Sequence, residues 1–193
     1  MTTRPRHAEA DDDPRSDHEL VDAVNRGDAD AFAVLYRRHQ PYANRIAMRF
    51  AGENSLALDA VQDSFVYFYK KFPGFVLTAK LTTFLYPVVK HNALTLKKKA
   101  RRAQGDAPEQ ALANERAIGQ DPASVQSPDD LHALLRQLPD AQREALLLRF
   151  VDGLSLEEIA RALDIPLGTA KTRIHHAIKK LRDDPATKKY FER

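Results

Sequence analysis

The side chains with most chemistry to offer in this sequence are cations, and they are gathered rather than spread. Residues 90–102 hold Lys90, Lys97, Lys98, Lys99, Arg101 and Arg102 and no acid. Residues 168–182 hold Lys171, Arg173, Lys179, Lys180 and Arg182, again without an acid. The stretch between, 103–130, is acidic: Asp106, Glu109, Glu115, Asp121, Asp129 and Asp130 stand against the single base Arg116. Ammonium and guanidinium groups at this density neutralise phosphates, so the pattern points to two contacts on one polyanion. Charge alone also fits two solvated helix ends. Lys90, Lys97 and Arg101 are spaced seven and four apart, which puts them on one helix face able to follow a phosphate chain. Aromatic rings crowd nearby, at Phe65, Tyr67, Phe68, Tyr69, Phe72, Phe75, Phe84 and Tyr86. Rings beside a basic groove stack unpaired bases at about 1–3 kcal/mol each, although in a small helical domain most rings serve as core.

Covalent chemistry finds no such gathering. Cysteine is absent, which excludes disulfides, zinc ribbons, iron–sulfur clusters and a thiol nucleophile. His175 and His176 are adjacent, so on a helix they project about 100° apart and do not chelate one metal as an i, i+4 pair would. His39, His91 and His132 sit in no motif, and Glu157-Glu158 and Asp11 to Asp13 read as a helix cap and a solvated tail. With 7 glycines there is no phosphate-cradling loop. The expectation is a binding protein and not an enzyme, with no cofactor, metal or small-molecule substrate. No run approaches the ~18 apolar residues of a membrane span, and the polar first twenty residues hold no secretory signal, so the expected location is the cytoplasm.

The elements that must position these groups are helices. A chain of 193 residues, 30% charged and 43% hydrophobic with net charge +3, suits one soluble domain or two small ones. Apolar residues recur at three- and four-residue spacing and no stretch alternates as a strand would, so the fold class is all-α. The pattern predicts a disordered acidic tail at 1–16 and helices near 17–26, 29–51, 55–72 and 80–102. A flexible linker follows at 103–127, then helices near 128–137, 140–152, 155–163 and 167–182 and a tail at 184–193. The breakers Gln104-Gly105-Asp106-Ala107-Pro108, Asp121-Pro122 and Ser127-Pro128 mark the linker. Two small helical domains, 17–102 and 128–183, result.

Residues 155–182 are the most informative. Ser155 with Glu158 forms a capping box opening a helix, and Asp164-Ile165-Pro166 interrupts it. A second helix places Ala170, Ile174, Ala177, Ile178 and Leu181 on one face, and Gly168, Thr172, His175, His176 and Lys179 on the opposite one. Helix, short turn and a second helix with a basic outer face make a helix-turn-helix, whose second helix enters the DNA major groove.

The stretch LPDAQREALLLRFVDGLSLEEIARALDIPLGTAKTRIHHAIKKLR (138–182) resembles the fourth conserved region of bacterial extracytoplasmic-function sigma factors of the sigma-70 family. Leu138-Pro139, Gln142-Arg143-Glu144, Gly153-Leu154 and Gly168-Thr169 carry that resemblance. It implies that Thr169, Lys171, Thr172, Arg173, His175, His176 and Lys179 read the minus-thirty-five promoter element. DAVQDSF (59–65) is similar to the segment that docks such factors on the clamp coiled coil of RNA polymerase. By that similarity Asp59, Gln62, Asp63, Phe65 and Tyr69 contact polymerase. By helical spacing, Asp59, Gln62, Asp63 and Val66 share one stripe, whereas Leu56, Ala60, Phe68 and Phe72 read as core.

Residues 75–102 resemble the region that captures and reads the melted minus-ten element, which implies that role for Lys80, Thr83, Phe84, Lys90, His91, Lys97, Lys98 and Arg101. The family usually has tryptophan where Phe84 stands, often a basic residue where Pro87 stands, and commonly asparagine where His91 stands. These departures bear on base preference, and Pro87 is expected to kink its helix near Thr83. The resemblance covers about 17–102 and 128–182. It implies a sigma factor that binds core polymerase at the clamp coiled coil and flap, helps melt the minus-ten element, and is held by an anti-sigma factor. A stand-alone helix-turn-helix regulator is the other reading, which would need a ligand pocket or dimer interface in the N-terminal domain.

Overall fold

The structure, a computed structural model, describes residues 13–103 and 134–184. The tail at 1–12, the linker from 104 to 127, the helix expected at 128–137 as far as residue 133, and the tail beyond 184 lie outside the described residues. Every regular element among the described residues is a helix. The chain divides into two compact units, Met1–Gly105 and Asp106–Arg193.

In the first unit, α1 (Asp17–Asn25), α2 (Ala29–Ala51), α3 (Asn54–Tyr69) and α4 (Leu81–Ala103) follow the apolar periodicity. Ser16 opens α1 with a capping box, its hydroxyl accepting from the Glu19 amide while the Glu19 carboxylate accepts from the Ser16 amide at 2.7 Å. Asp28 caps α2, and Gly52 ends it in the left-handed region at φ +74°, which glycine adopts without a side-chain clash. α3 stops at Tyr69, short of the expected Phe72, because a residue before proline is disfavoured as helix and Pro73 follows. α4 runs on through exposed Pro87, whose missing amide removes the helical hydrogen bond to the Thr83 carbonyl without ending the helix.

α2 packs against α1, α3 and α4, and α3 against α4. Leu20, Leu35, Ile46, Phe68, Leu81, Leu85, Tyr86 and Val89 fill the space between them. Of the crowded aromatics, Phe65, Phe68 and Tyr86 are buried in this core, and half-buried Phe72, Phe75 and Phe84 close over it: the Phe68 ring lies within 5.5 Å of the rings of Phe32, Phe72, Phe75 and Phe84. Ser64 donates to the Ala60 carbonyl at 2.6 Å and accepts from Asn92 at 3.0 Å, locking α3 to α4. Asp17 joins α1 to α2, accepting from Arg38 at 2.8 Å and lying 2.7 Å from His39 Nε2. Burial alone would raise the Asp17 carboxyl, but the hydrogen bonds from His39 and Arg38 outweigh it and hold the group below its ordinary value.

The second unit contains α5 (Asp140–Phe150), α6 (Leu156–Ala162) and α7 (Leu167–Asp183), preceded by helical residues 134–137. Ser155 and Glu158 form the capping box of α6. The turn into α7 passes through Asp164 at φ +51°, a left-handed position that aspartate tolerates better than most residues. α7 packs on both α5 and α6, and Leu138, Leu146 and Ala177 form a cluster joined by Leu135, Ile178 and Leu181. Arg143 is 4% exposed. Its guanidinium donates to the carbonyls of Leu135 and Leu138, each at 3.4 Å, and pairs with Asp140. A buried charge held this way ties the segment before α5 to the helix itself.

Candidate nucleic-acid interface

α7 separates its faces as its periodicity requires. Ala170, Ile174 and Ala177 are buried, while Lys171, Thr172, His175, His176 and Lys179 are exposed; Thr169 and Arg173 are half-buried on the flanks. The Thr172 hydroxyl donates to the Gly168 carbonyl at 2.8 Å, which leaves its methyl group and oxygen lone pairs for an outside partner. The His175 and His176 rings are 5.9 Å apart and tilted by 55°. His176, Lys179 and Lys180 line an open depression of about 430 Å³ with Gln137, Asp183 and Asp184. Lys180 also donates to the Gln137 carbonyl at 2.6 Å, fastening α7 to the segment before α5.

The second cationic surface is built on α4 and the loop before it. No Asp or Glu occurs between Asp63 and Asp106, so the cations there meet no acid of their own segment. Lys80, His91, Lys98 and Arg101 are exposed, and Lys90 and Lys97 half-buried. Lys90 Nζ lies 5.2 Å from the Phe50 ring centroid. Partial burial, and then the Arg101 charge, pull the Lys97 ammonium below the ordinary lysine value. Phe84 is half-buried, its plane within 11° of the Tyr67 plane at 6.5 Å, with Lys71 Nζ 4.5 Å from the Tyr67 ring centroid.

Thr83 belongs elsewhere. At 6% exposure, between buried Leu81 and Leu85, it lies in the packed first turn of α4, and its hydroxyl has no hydrogen-bond partner. It is a packing residue.

Along α3, Asp59, Gln62, Asp63 and Tyr69 face solvent. Phe65 does not: 3% exposed, it meets the Tyr36 ring edge-on at 4.7 Å. Four residues after Val61 and three before Phe68, it shares the inward face, so it positions the helix instead of touching a partner. Leu58, Val66 and Tyr67 are exposed among the acids, as are Phe150 and Val151 at the end of α5. Of these, Val66 had a signal in the sequence through its place on the acidic stripe, and Tyr67 through its place among the crowded aromatics. Among the described residues no group of three His, Asp or Glu side chains could hold a metal ion, and no helix is long and apolar enough to cross a membrane.

Comparison with known proteins agrees with this division. Residues 35–103 match the family described as Sigma-70 region 2, and residues 129–181 match Sigma-70, region 4. The ECF RNA polymerase sigma-E factor of Haemophilus influenzae is 30% identical, over 84% of this chain and 91% of its own length. The RNA polymerase sigma-H factor of Pseudomonas aeruginosa is 31% identical over 83% and 89%, and the ECF RNA polymerase sigma factor SigW of Bacillus subtilis 29% over 84% and 92%. The same fold occurs in the sigma factor RpoE of Bartonella quintana, solved with the anti-sigma factor NepR, at TM-score 0.60 and 24% identity over 79% of this chain and 94% of that one. CnrH, solved with the cytosolic domain of CnrY, gives TM-score 0.60 at 21% identity over 85% and 93%. A chain with both regions in order and relatives matched over most of their length belongs to the sigma-70 family, as one of its extracytoplasmic-function (ECF) RNA polymerase sigma factors.

Proposed function

We propose the following division of labour for this alternative sigma factor, which directs promoter-specific transcription initiation. The exposed α3 stripe of Asp59, Gln62, Asp63 and Tyr69 binds the clamp coiled coil of core RNA polymerase. Phe150 and Val151 offer the second unit an apolar contact for the flap. α4 and its preceding loop take the minus-ten element through Lys80, Phe84, Lys90, His91, Lys97, Lys98 and Arg101. α7 takes the minus-thirty-five element. Domains at 17–102 and 128–183 on a linker allow both contacts, and the chain works in the cytoplasm by binding and not by catalysis. A stand-alone regulator has no use for a region 2 match over residues 35–103.

The observation that carries the DNA assignment is α7, with an apolar side sealed into the core and a polar side left open that holds no acid before Asp183. Lys179→Ala is expected to weaken holoenzyme binding to all upstream sequences alike and to lower the salt slope by about one unit. Thr172→Ala and His176→Ala are expected instead to change the ranking among sequences selected from a randomised pool, because base contacts specify where phosphate contacts only position. Equal behaviour of both classes in that selection rejects the groove-facing assignment.

The apolar side chains exposed on α3 need cover before polymerase arrives. Two solved chains with this fold are complexes, the sigma factor RpoE with the anti-sigma factor NepR and CnrH with the cytosolic domain of CnrY. We propose that an anti-sigma protein likewise covers the Leu58–Tyr69 face here. Affinity purification from uninduced cells is expected to recover a stoichiometric partner that core polymerase displaces; a chain recovered alone removes the inhibitor.

A further inference from the structure

On the outward side of α7 two imidazoles stand among the lysines. His175 and His176 are both exposed, their ring centroids 5.9 Å apart and their planes tilted by 55°. Adjacent on a helix, they project about 100° apart, toward different points of a bound duplex. Lys171 and Lys179 lie one turn before and after His175, and Lys180 one turn after His176. Acids come near this face at two places. Asp183 and Asp184 share the open depression with His176, to which the segment before α5 adds the uncharged Gln137. On α5 itself, Asp140 is paired with Arg143. From α6 comes Glu157, whose carboxylate accepts from the Ser155 hydroxyl at 3.0 Å. Its own amide and that hydroxyl, and then the Lys171 and Arg149 charges, hold its carboxyl below the ordinary value, so it stays ionised wherever imidazole titrates. Imidazole changes charge between about pH 5 and 8, where lysines and carboxylates ordinarily keep theirs. Charging either ring adds a cation to a face that already holds Lys171 and Lys179, and a row of phosphates supplies the counter-charge. The DNA-bound state therefore holds more protons than the free chain, and affinity rises as pH falls through the imidazole range.

We infer that His175 and His176 couple upstream-element binding to pH, taking up protons as α7 meets the phosphates, so that this sigma factor holds its promoter more tightly as pH falls. The inference rests on the reading of α7 as the DNA-contacting helix. Holoenzyme reconstituted with the full chain tests it on a duplex carrying the upstream sequence that the wild type selects from a randomised pool, at about pH 6 and pH 8 and at two salt concentrations. Wild-type affinity is expected to be about tenfold higher at the lower pH, beyond any change in a chain carrying both His175→Gln and His176→Gln, and its salt slope there steeper by about one. The double variant retains the pH response of polymerase and of the rest of the chain, so the difference belongs to the two rings. His176→Arg, whose charge does not titrate, is expected to bind more tightly than wild type at the higher pH and to respond less to pH. An equal pH response in wild type and double variant, or the full wild-type response in His176→Arg, overturns the inference. Either result leaves α7 as the DNA-contacting helix so long as Lys179→Ala weakens binding at both pH values. A Lys179→Ala chain that binds as the wild type does overturns that reading, and the inference with it.

Discussion

Reversing Asp63 to lysine is expected to weaken binding to core RNA polymerase by about ten- to a hundredfold, equivalent to roughly 1.4–2.8 kcal/mol. Asp59 and Asp63 are exposed one helical turn apart, so their like charges repel slightly within the free chain. A cationic surface relieves that repulsion on docking. Asp63→Lys replaces the attraction with repulsion at the interface while removing the intrahelical clash, so the fold of the first unit is expected to be unaffected. Binding measured at two salt concentrations, beside matched circular dichroism, checks both halves. The loss should shrink at high salt, as a screened charge contact does. Unchanged affinity rejects α3 as the docking helix.

Phe68→Ala is expected to destabilise the first unit by about 3–5 kcal/mol. The ring is fully buried and touches Phe32, Phe72, Phe75 and Phe84, so its removal leaves a hole that four large side chains would have to close together. Against a domain stability of about 5–15 kcal/mol, that approaches loss of the fold. The damage would reach function through the same contacts, since Phe75 and Phe84 pack on this ring and Phe84 is among the residues proposed to take the minus-ten element. Leu58→Ala supplies the control, a large-to-small change in the same unit at a residue 50% exposed, where about 0.5 kcal/mol or less is expected. Urea unfolding of the full chain, followed by tyrosine fluorescence, separates the two. Similar midpoints would mean that the Phe68 cluster is not the centre of this core.

Which residues of a functional motif face outward was only partly legible. The DAVQDSF stretch resembles a docking segment, and its acids are exposed, yet its phenylalanine turns in. Helical period alone leaves Phe65 undecided, because a helix packed by both α2 and α4 buries a wider arc than a one-sided helix does. Thr83 is the same case at the crowded first turn of α4. Arg143 belongs to a recognisable motif, but nothing near it in sequence shows that its charge is buried beneath two carbonyls.

The sequence by itself determined the all-helical class, the capping box at Ser155 and the two basic segments without acids at 90–102 and 168–182, and through its motifs the family. These are local quantities: propensity, spacing and charge act within a few residues, so the chain carries them before it folds. Only the tertiary structure decided that Phe65 and Thr83 are packing residues, which of the crowded rings are buried and which exposed, and that Asn25 holds a loop 49 residues further along. Those outcomes depend on which helix faces meet, and contacts between distant segments are made by packing and hydrogen-bond satisfaction that no local pattern encodes.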